Sequence, residues 1–143
     1  MDFVSEMQSG FVTLQHVPIE HITPEVCLAA VKREYWEIRY VPEHFKTVEL
    51  YTIAVQKNPY VLNNTPEKFK TAELCEIAVR RNPYVFDFVP AQFKTAELCM
   101  IAVQQDGYLL KFVPAHFKTM ELCLISIVRN IDAYTFIPQK FKL

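Results

Sequence analysis

Four cysteines have the widest chemical repertoire of any residues in this sequence, and they recur at related positions. They are Cys27, Cys75, Cys99 and Cys123, and the last three are each 24 residues apart. Thiolates can bind zinc, but zinc sites gather their ligands, commonly as Cys-x-x-Cys pairs, and the sequence contains no such pair. Equivalent residues on adjacent packed helices lie about 8–10 Å apart, whereas a disulfide needs Cα atoms within about 7 Å. We therefore expect small apolar core residues, with no metal and no redox role.

The four histidines show no arrangement that is typical of catalysis or metal binding. His44 and His116 belong to a series of positions spaced by 24 residues, at which Lys68 and Gln92 also stand. A position that accepts Lys and Gln is typical of a solvent-facing loop, and a catalytic histidine needs an oriented partner. No pair of nucleophile and base is recognisable elsewhere, so we predict a protein that is not an enzyme and needs no cofactor.

Lysines and glutamates form two ladders with the same spacing of 24 residues. The lysines are Lys46, Lys70, Lys94 and Lys118, and the glutamates three residues downstream are Glu49, Glu73, Glu97 and Glu121. Each glutamate falls near a predicted helix start, where negative charge is favourable. We predict a charge-complementary surface row, in which each pair adds little stability. The alternative is a basic stripe that follows a phosphate backbone, although the interleaved glutamates would cancel most of its field.

Aromatic residues occupy another position of the same series. They are Trp36, Tyr60, Tyr84 and Tyr108. Aromatic side chains at regular intervals can stack on the bases of a single strand. We favour a structural role instead, as a buried or half-buried seam between successive units.

All these series share one period because the chain is a tandem repeat. Five units fit without any insertion, and they are 22–45, 46–69, 70–93, 94–117 and 118–141. Residues 1–21 resemble a degenerate half-repeat, which would cap the array and whose first helix has lost its pattern. We predict one domain overall, in which residues 22–143 hold the repeats.

Each unit contains two helix start signals and one stop signal. In the third unit, Thr71 is a suitable N-cap for a helix of about ten residues, and Asn82-Pro83 starts a second, shorter helix. Pro90 then ends the second helix, because proline lacks the N–H group. Only two glycines occur in the chain, which disfavours a turn-rich β protein. We predict an all-α fold, an α-solenoid of five helix-turn-helix repeats with a degenerate N-terminal half-repeat.

The repeated motif Lys-Thr-x-Glu-Leu-Cys-x-Ile-Ala-Val, then Asn-Pro-Tyr and Phe-Val-Pro-x-x-Phe, resembles that of a known family. It is similar to the bacterial and viral domain-of-unknown-function 4116 (DUF4116) repeats, and the resemblance covers residues 22–141. It implies a helical repeat protein without an established activity or assigned catalytic residues, so no site carries over. Tyr51 in place of cysteine, and Ile131-Asp132 in place of Pro-Tyr, depart from the motif and put the local packing in question.

Positions that vary between repeats are expected to face outward and to carry any binding function. On the first helix of each unit, they are the residues three and seven positions after the repeated glutamate. This stripe turns apolar towards the C-terminus, and exposed apolar patches often mark protein contacts. The predicted partner-binding residues are Glu76, Arg80, Met100, Gln104, Leu124 and Val128 of this stripe, together with Met120, which lies nearby. The alternative is that the fifth repeat tilts and buries its apolar members.

Composition narrows the function further. A formal net charge of -1 and a sequence pI of about 6.4 disfavour a dedicated nucleic-acid binder. The sequence shows no secretion signal and no apolar stretch of about 18 residues, so we expect a cytoplasmic protein that does not enter a membrane.

We expect a non-enzymatic protein-binding module whose partner is another protein. A small inhibitor of another macromolecule, such as a phage-borne or effector protein that blocks a host enzyme, is a specific form of it. The alternatives are nucleic-acid binding through the Lys and Arg rows, and self-assembly as a homodimer through the C-terminal repeat.

Overall fold

The structure is a computed structural model that describes residues 2–143, and every regular element in that range is helical. The predicted all-α repeat fold is thereby confirmed. The chain forms two compact units, the first ending at Lys70 and the second spanning Thr71–Leu143. The division between them falls within one residue of the predicted boundary between the second and third repeats.

The first unit contains the N-terminal segment and two repeats. Its α-helices are α1 (Phe3–Ser9), α2 (Pro24–Arg33), α3 (Val48–Lys57) and the single turn α4 (Val61–Asn64). Its 3-10 helices are Leu14–His16, Ile19–His21, Tyr35–Tyr40, Glu43–Phe45 and Glu67–Phe69. Helix α2 packs against α1 on one side and α3 on the other.

The second unit contains three repeats of the same design. Its α-helices are α5 (Ala72–Arg81), α6 (Ala96–Gln105) and α7 (Met120–Arg129). Its 3-10 helices are Pro83–Phe88, Ala91–Phe93, Gly107–Phe112, Ala115–Phe117, Ile131–Phe136 and Gln139–Phe141. Helix α6 packs between α5 and α7, so each repeat buries the apolar face of its neighbour, as an α-solenoid requires.

The predicted capping residues start the helices in both units. The hydroxyl of Thr71 accepts a hydrogen bond from the N–H group of Leu74 at 3.1 Å, and the four equivalent threonines cap their helices in the same way. The side chain of Asn82 accepts from the N–H group of Tyr84 at 3.0 Å, which starts the second segment of the repeat.

The second and third segments of the repeat differ from the sequence prediction in their helix type. The second segment is a 3-10 helix of six residues in four of the five repeats, and only α4 is an α-helical turn. Between a cap and a proline there is little room for i→i−4 bonds, and 3-10 helices are used in short pieces. The predicted second turn is also a short 3-10 helix, closed in the third repeat by the N–H group of Phe93 donating to the carbonyl of Pro90 at 2.9 Å.

The N-terminal segment holds a helix where the sequence was expected to have lost one. Asp2 caps α1 at its start, and Gly10 ends it in the left-handed conformation with φ 85°. Phe3 and Met7 are buried one turn apart, so two apolar residues are sufficient to dock this short helix.

A buried ion pair joins this segment to the first repeat. Glu37 is fully buried, and its carboxylate accepts from the N–H group of Leu14 at 3.0 Å and from the guanidinium of Arg33 at 3.1 Å. Arg33 also donates to the carbonyl of Val12 at 3.3 Å. The other repeats place Val61, Val85, Leu109 and Ala133 at the position of Glu37. Sequence reasoning missed the pair, because Glu37 stands in a short charged stretch that is typical of solvent-facing residues.

Candidate functional site

The seven predicted partner-binding residues all lie in the second unit, on α5, α6 and α7. Six of them are exposed and Met100 is half-buried, and their role in partner binding stays a prediction. The exposed fractions of Met120, Leu124 and Val128 are 47%, 56% and 85%. The fifth repeat therefore does not bury its apolar members, which excludes the alternative of a tilted repeat.

The polar end of the stripe is a surface network of ion pairs. Nε of Arg80 lies 2.8 Å from Oε1 of Glu76, and its Nη2 lies 3.3 Å from Oε1 of Glu97 on the next helix. All three side chains are about half exposed or more, so the network adds little stability. Because two carboxylates flank Arg80, this arginine presents little positive charge to a phosphate backbone.

The apolar end of the stripe borders a groove of about 360 Å³. Its lining residues are Gln104, Leu124, Ile125, Val128 and Arg129. The structure thus brings three predicted residues together across α6 and α7, whereas Met100, Met120, Glu76 and Arg80 do not line this groove. Sequence reasoning missed Ile125 and Arg129, although each directly follows a stripe residue along α7.

One position of this face, that of Val128, is apolar in the fifth repeat alone. Val128 stands where the other four repeats carry Lys32, Gln56, Arg80 and Gln104. The most exposed stripe position is therefore polar in every repeat except the last. Because the other repeats fold with a polar residue at this position, the repeat fold does not require Val128 to be apolar.

The four cysteines are buried core residues, as predicted, and form no disulfide. Burial raises the pKa of Cys27 and of Cys99 to about 11, so both thiols stay protonated at neutral pH. A protonated, buried thiol is a poor nucleophile and a poor metal ligand. Within residues 2–143, no group of His, Cys, Asp or Glu side chains is arranged to hold a metal ion.

The prediction that the repeated lysines form surface pairs with the repeated glutamates is wrong. Nζ of Lys94 donates to the carbonyl of Phe112 at 2.9 Å, and Nζ of Lys118 donates to the carbonyl of Phe136 at 3.0 Å. Desolvation by burial lowers the pKa of both lysines. Lys46 pairs with the preceding Glu43 rather than with the glutamate three residues downstream. Nζ of Lys94 also lies 4.7 Å from the ring centroid of Phe86 in the same unit.

The predicted buried or half-buried seam is wrong for the three repeated tyrosines, because they are exposed. Tyr60, Tyr84 and Tyr108 all stand at the surface, and only Trp36 is half-buried. The hydroxyl of Tyr84 nevertheless donates to the carboxylate of Asp106 at 3.1 Å, and the ring of Tyr108 meets Phe136 edge-on at 5.1 Å. Both contacts reach the next repeat, so these two tyrosines form a seam at the surface. The buried contact comes from residues two positions later, such as Phe86 and Leu110.

The helices described in residues 2–143 are all too short or too polar to cross a membrane.

A comparison with protein families found one that matches most of the chain. The family is described as a domain of unknown function, DUF4116, and its model matches residues 23–70, 47–94 and 71–118. Each match covers two repeats, and successive matches advance by one repeat, in agreement with the structural period. The curated proteins and the solved structures that were compared include no match to this chain.

Proposed function

The chain belongs to the DUF4116 family, whose function is unknown, and we propose that it is a non-enzymatic protein-binding module. The binding surface consists of Met120, Leu124 and Val128 on α7 together with the adjoining groove beside Gln104 of α6. The partner is a protein that presents an apolar segment to this face.

The observation that carries the proposal is the exposure of three apolar side chains at four-residue intervals along α7. Residues at i, i+4 and i+8 lie on one helix face, so the three side chains form one strip. Leu124 and Val128 also line the groove, which gives the strip a concave border. Removal of such a surface from water contributes about 25 cal/mol for each Å² of apolar area, and the entropy lost on association offsets part of that contribution.

The face around the strip offers polar groups for orientation. Gln104 and Arg129 line the same groove, and both are exposed. An apolar centre with a polar rim is the usual anatomy of a protein–protein interface. The groove therefore supports recognition of a protein segment that pairs an apolar side chain with a hydrogen-bonding or acidic neighbour.

The test is affinity capture from native extract with the tagged full chain and two variants. Val128→Glu places a charge in the strip, and Gln56→Glu places the same charge at the equivalent exposed position of α3 in the first unit. We expect a nuclease-resistant partner to be retained by the wild type and by Gln56→Glu, and to be weakened about tenfold or more by Val128→Glu. Equal retention by all three baits would contradict the proposal, and so would a partner set that disappears on nuclease treatment.

Self-association is separated from partner binding by sedimentation velocity. A concentration-dependent dimer of the wild type, absent in Val128→Glu, would assign the strip to a second copy of the chain and overturn the assignment to a different protein. A monomer in both, together with partner capture, supports it. If the captured partner is an enzyme, the inhibitor form of the proposal is tested by adding the purified chain to that enzyme. An inhibitor lowers the turnover of the enzyme.

We also propose that the protein is cytoplasmic. Four buried cysteines that form no disulfide suit a reducing environment.

A further inference from the structure

A second concavity lies in the first unit, away from the residues of the proposed protein-binding surface. Its volume is about 490 Å³, within the range of roughly 300–1,000 Å³ that is usual for small-molecule sites. It is bordered by the 3-10 helix Tyr35–Tyr40, by α3 and by α4. The lining residues are Trp36, Ile38, Arg39, Lys46, Tyr51, Val61 and Asn64.

The concavity coincides with a departure from the repeat pattern. Asn64 stands where the other four repeats carry an aromatic residue, namely Tyr40, Phe88, Phe112 and Phe136. An amide is much smaller than an aromatic ring, so this replacement leaves space at the end of α4. Tyr51 is a second departure on the same wall, because it replaces the cysteine of the other repeats.

Two cationic side chains face this space without a carboxylate among the lining residues. Arg39 is exposed, and Nε is the only one of its nitrogens that donates a hydrogen bond within the described residues, to the carbonyl of Trp36 at 3.1 Å. Its two Nη groups can therefore contact an anion in the bidentate geometry that guanidinium favours. Lys46 pairs with Glu43 at 3.2 Å, but Glu43 is shared with Lys68 at 2.8 Å, so the three groups together keep one positive charge.

Tyr51 supplies the observation that points most directly to a ligand. The residue is only 3% exposed, and its ring stacks on Phe69 with centroids 5.0 Å apart. Its hydroxyl makes no hydrogen bond within residues 2–143 and is not fully buried, so it opens onto the concavity that Tyr51 lines. A tyrosine whose ring is buried usually directs its hydroxyl to a hydrogen-bond partner, and here the concavity is where such a partner can bind. Burial raises the pKa of Tyr51, so the hydroxyl is a donor and suits an acceptor oxygen.

We infer that this concavity binds a nucleoside monophosphate. The base stacks on the half-buried Trp36, the phosphate lies between Arg39 and Lys46, and the hydroxyl of Tyr51 donates to an oxygen of the ligand. The amide of Asn64 offers both a donor and an acceptor to the edge of a base. This site is independent of the proposed protein-binding surface, since none of its residues belongs to the second unit.

The chain contains one tryptophan, so its fluorescence reports on this site directly. AMP and UMP are titrated separately into the full chain, which presents a purine and a pyrimidine, and isothermal titration calorimetry confirms the affinity. We expect saturable quenching of Trp36 by at least one nucleotide at a dissociation constant of about 1 mM or tighter. Adenosine, uridine and inorganic phosphate, which each lack half of the ligand, are expected to bind about tenfold more weakly.

Three variants locate the binding. Asn64→Phe restores the aromatic residue of the other repeats and fills the space, so it should abolish binding without loss of thermal stability. Arg39→Gln should weaken binding about tenfold, whereas Arg81→Gln, which removes an exposed arginine of α5, should have no effect. The inference is overturned if neither nucleotide quenches Trp36, if Asn64→Phe binds as the wild type does, or if Arg81→Gln weakens binding as much as Arg39→Gln.

Discussion

At the scale of single residues, burial decides the chemistry of the cysteines. Their spacing along the chain invites a comparison with metal sites, but each thiol lies in the core of its own repeat. Burial raises the pKa of Cys27 and Cys99 from an ordinary value of 9.0 to about 11. The folded state therefore keeps these protons over a pH range in which the unfolded chain has lost them.

This difference predicts an alkaline loss of stability that depends on the thiols. The contribution of each raised pKa is fully present below pH 9.0 and is lost as the pH rises through about 11, on the order of 2 kcal/mol for each thiol. Cys99→Ala removes one such group, so its free energy of unfolding should fall less steeply with pH than that of the wild type. Urea unfolding between neutral pH and pH 11 measures both slopes.

The comparison of slopes cancels the opposing contribution of the lysines, except for the part of the pKa of Lys94 that its electrostatic interaction with Cys99 sets. Lys94 and Lys118 have lowered pKa values, which act in the opposite direction over the alkaline range but are present in both proteins. Parallel pH profiles for the wild type and Cys99→Ala would show that burial of Cys99 does not shift its proton affinity.

At the scale of elements, the close approach of α7 to the preceding 3-10 helix explains why residue 107 is a glycine. Gly107 stands where Pro59 and Pro83 begin the second segment in earlier repeats. A Cβ atom at Gly107 would lie 1.9 Å from the carbonyl oxygen of Ser126, which is backbone and cannot turn aside. Asn130 adds a hydrogen bond to Asp106 at 3.2 Å in the same place.

Gly107→Ala should therefore destabilise the second unit. The added methyl group forces α7 away from the 3-10 helix Gly107–Phe112, at a cost of about 1–3 kcal/mol. Chemical unfolding of the full chain measures the change. The matched control is Gln105→Ala, an exposed residue at the end of α6, for which we expect a change within about 0.5 kcal/mol. Equal stabilities of the two variants would show that α7 adjusts without cost.

At the scale of the whole molecule, the charge distribution opposes binding to nucleic acid. The formal net charge is -1, Arg80 is flanked by two carboxylates, and Lys94 and Lys118 donate to backbone carbonyls. These three cations are therefore less available to displace counterions from a phosphate backbone. The sequence alone shows the ladders of charge but not which partner each lysine takes.

We accordingly expect the full chain to bind neither single-stranded nor double-stranded DNA at physiological salt. Fluorescence anisotropy with labelled oligonucleotides measures this, with low salt included as the most favourable condition. The double variant Arg80→Ala, Arg81→Ala should behave as the wild type does. A salt-dependent affinity that falls in this variant would establish the nucleic-acid alternative instead.

The sequence by itself determined the repeat, its boundaries and the helix caps. Threonine and asparagine caps act through hydrogen bonds to N–H groups two or three residues away, so Thr71 and Asn82 could be assigned from local spacing. The outward stripe from Glu76 to Val128 followed from helical periodicity, which is also a local property.

Only the tertiary structure decided which side chains meet across repeats. The inward turn of Lys94, the surface seam at Tyr84 and the contacts of the Arg33–Glu37 pair with Val12 and Leu14 depend on residues 18 or more positions away. The space beside Asn64 depends on a gap between elements. Propensity and periodicity describe one segment at a time. Contacts between segments depend on how side-chain volumes fill the space between packed helices, and that is fixed only when the repeats are stacked.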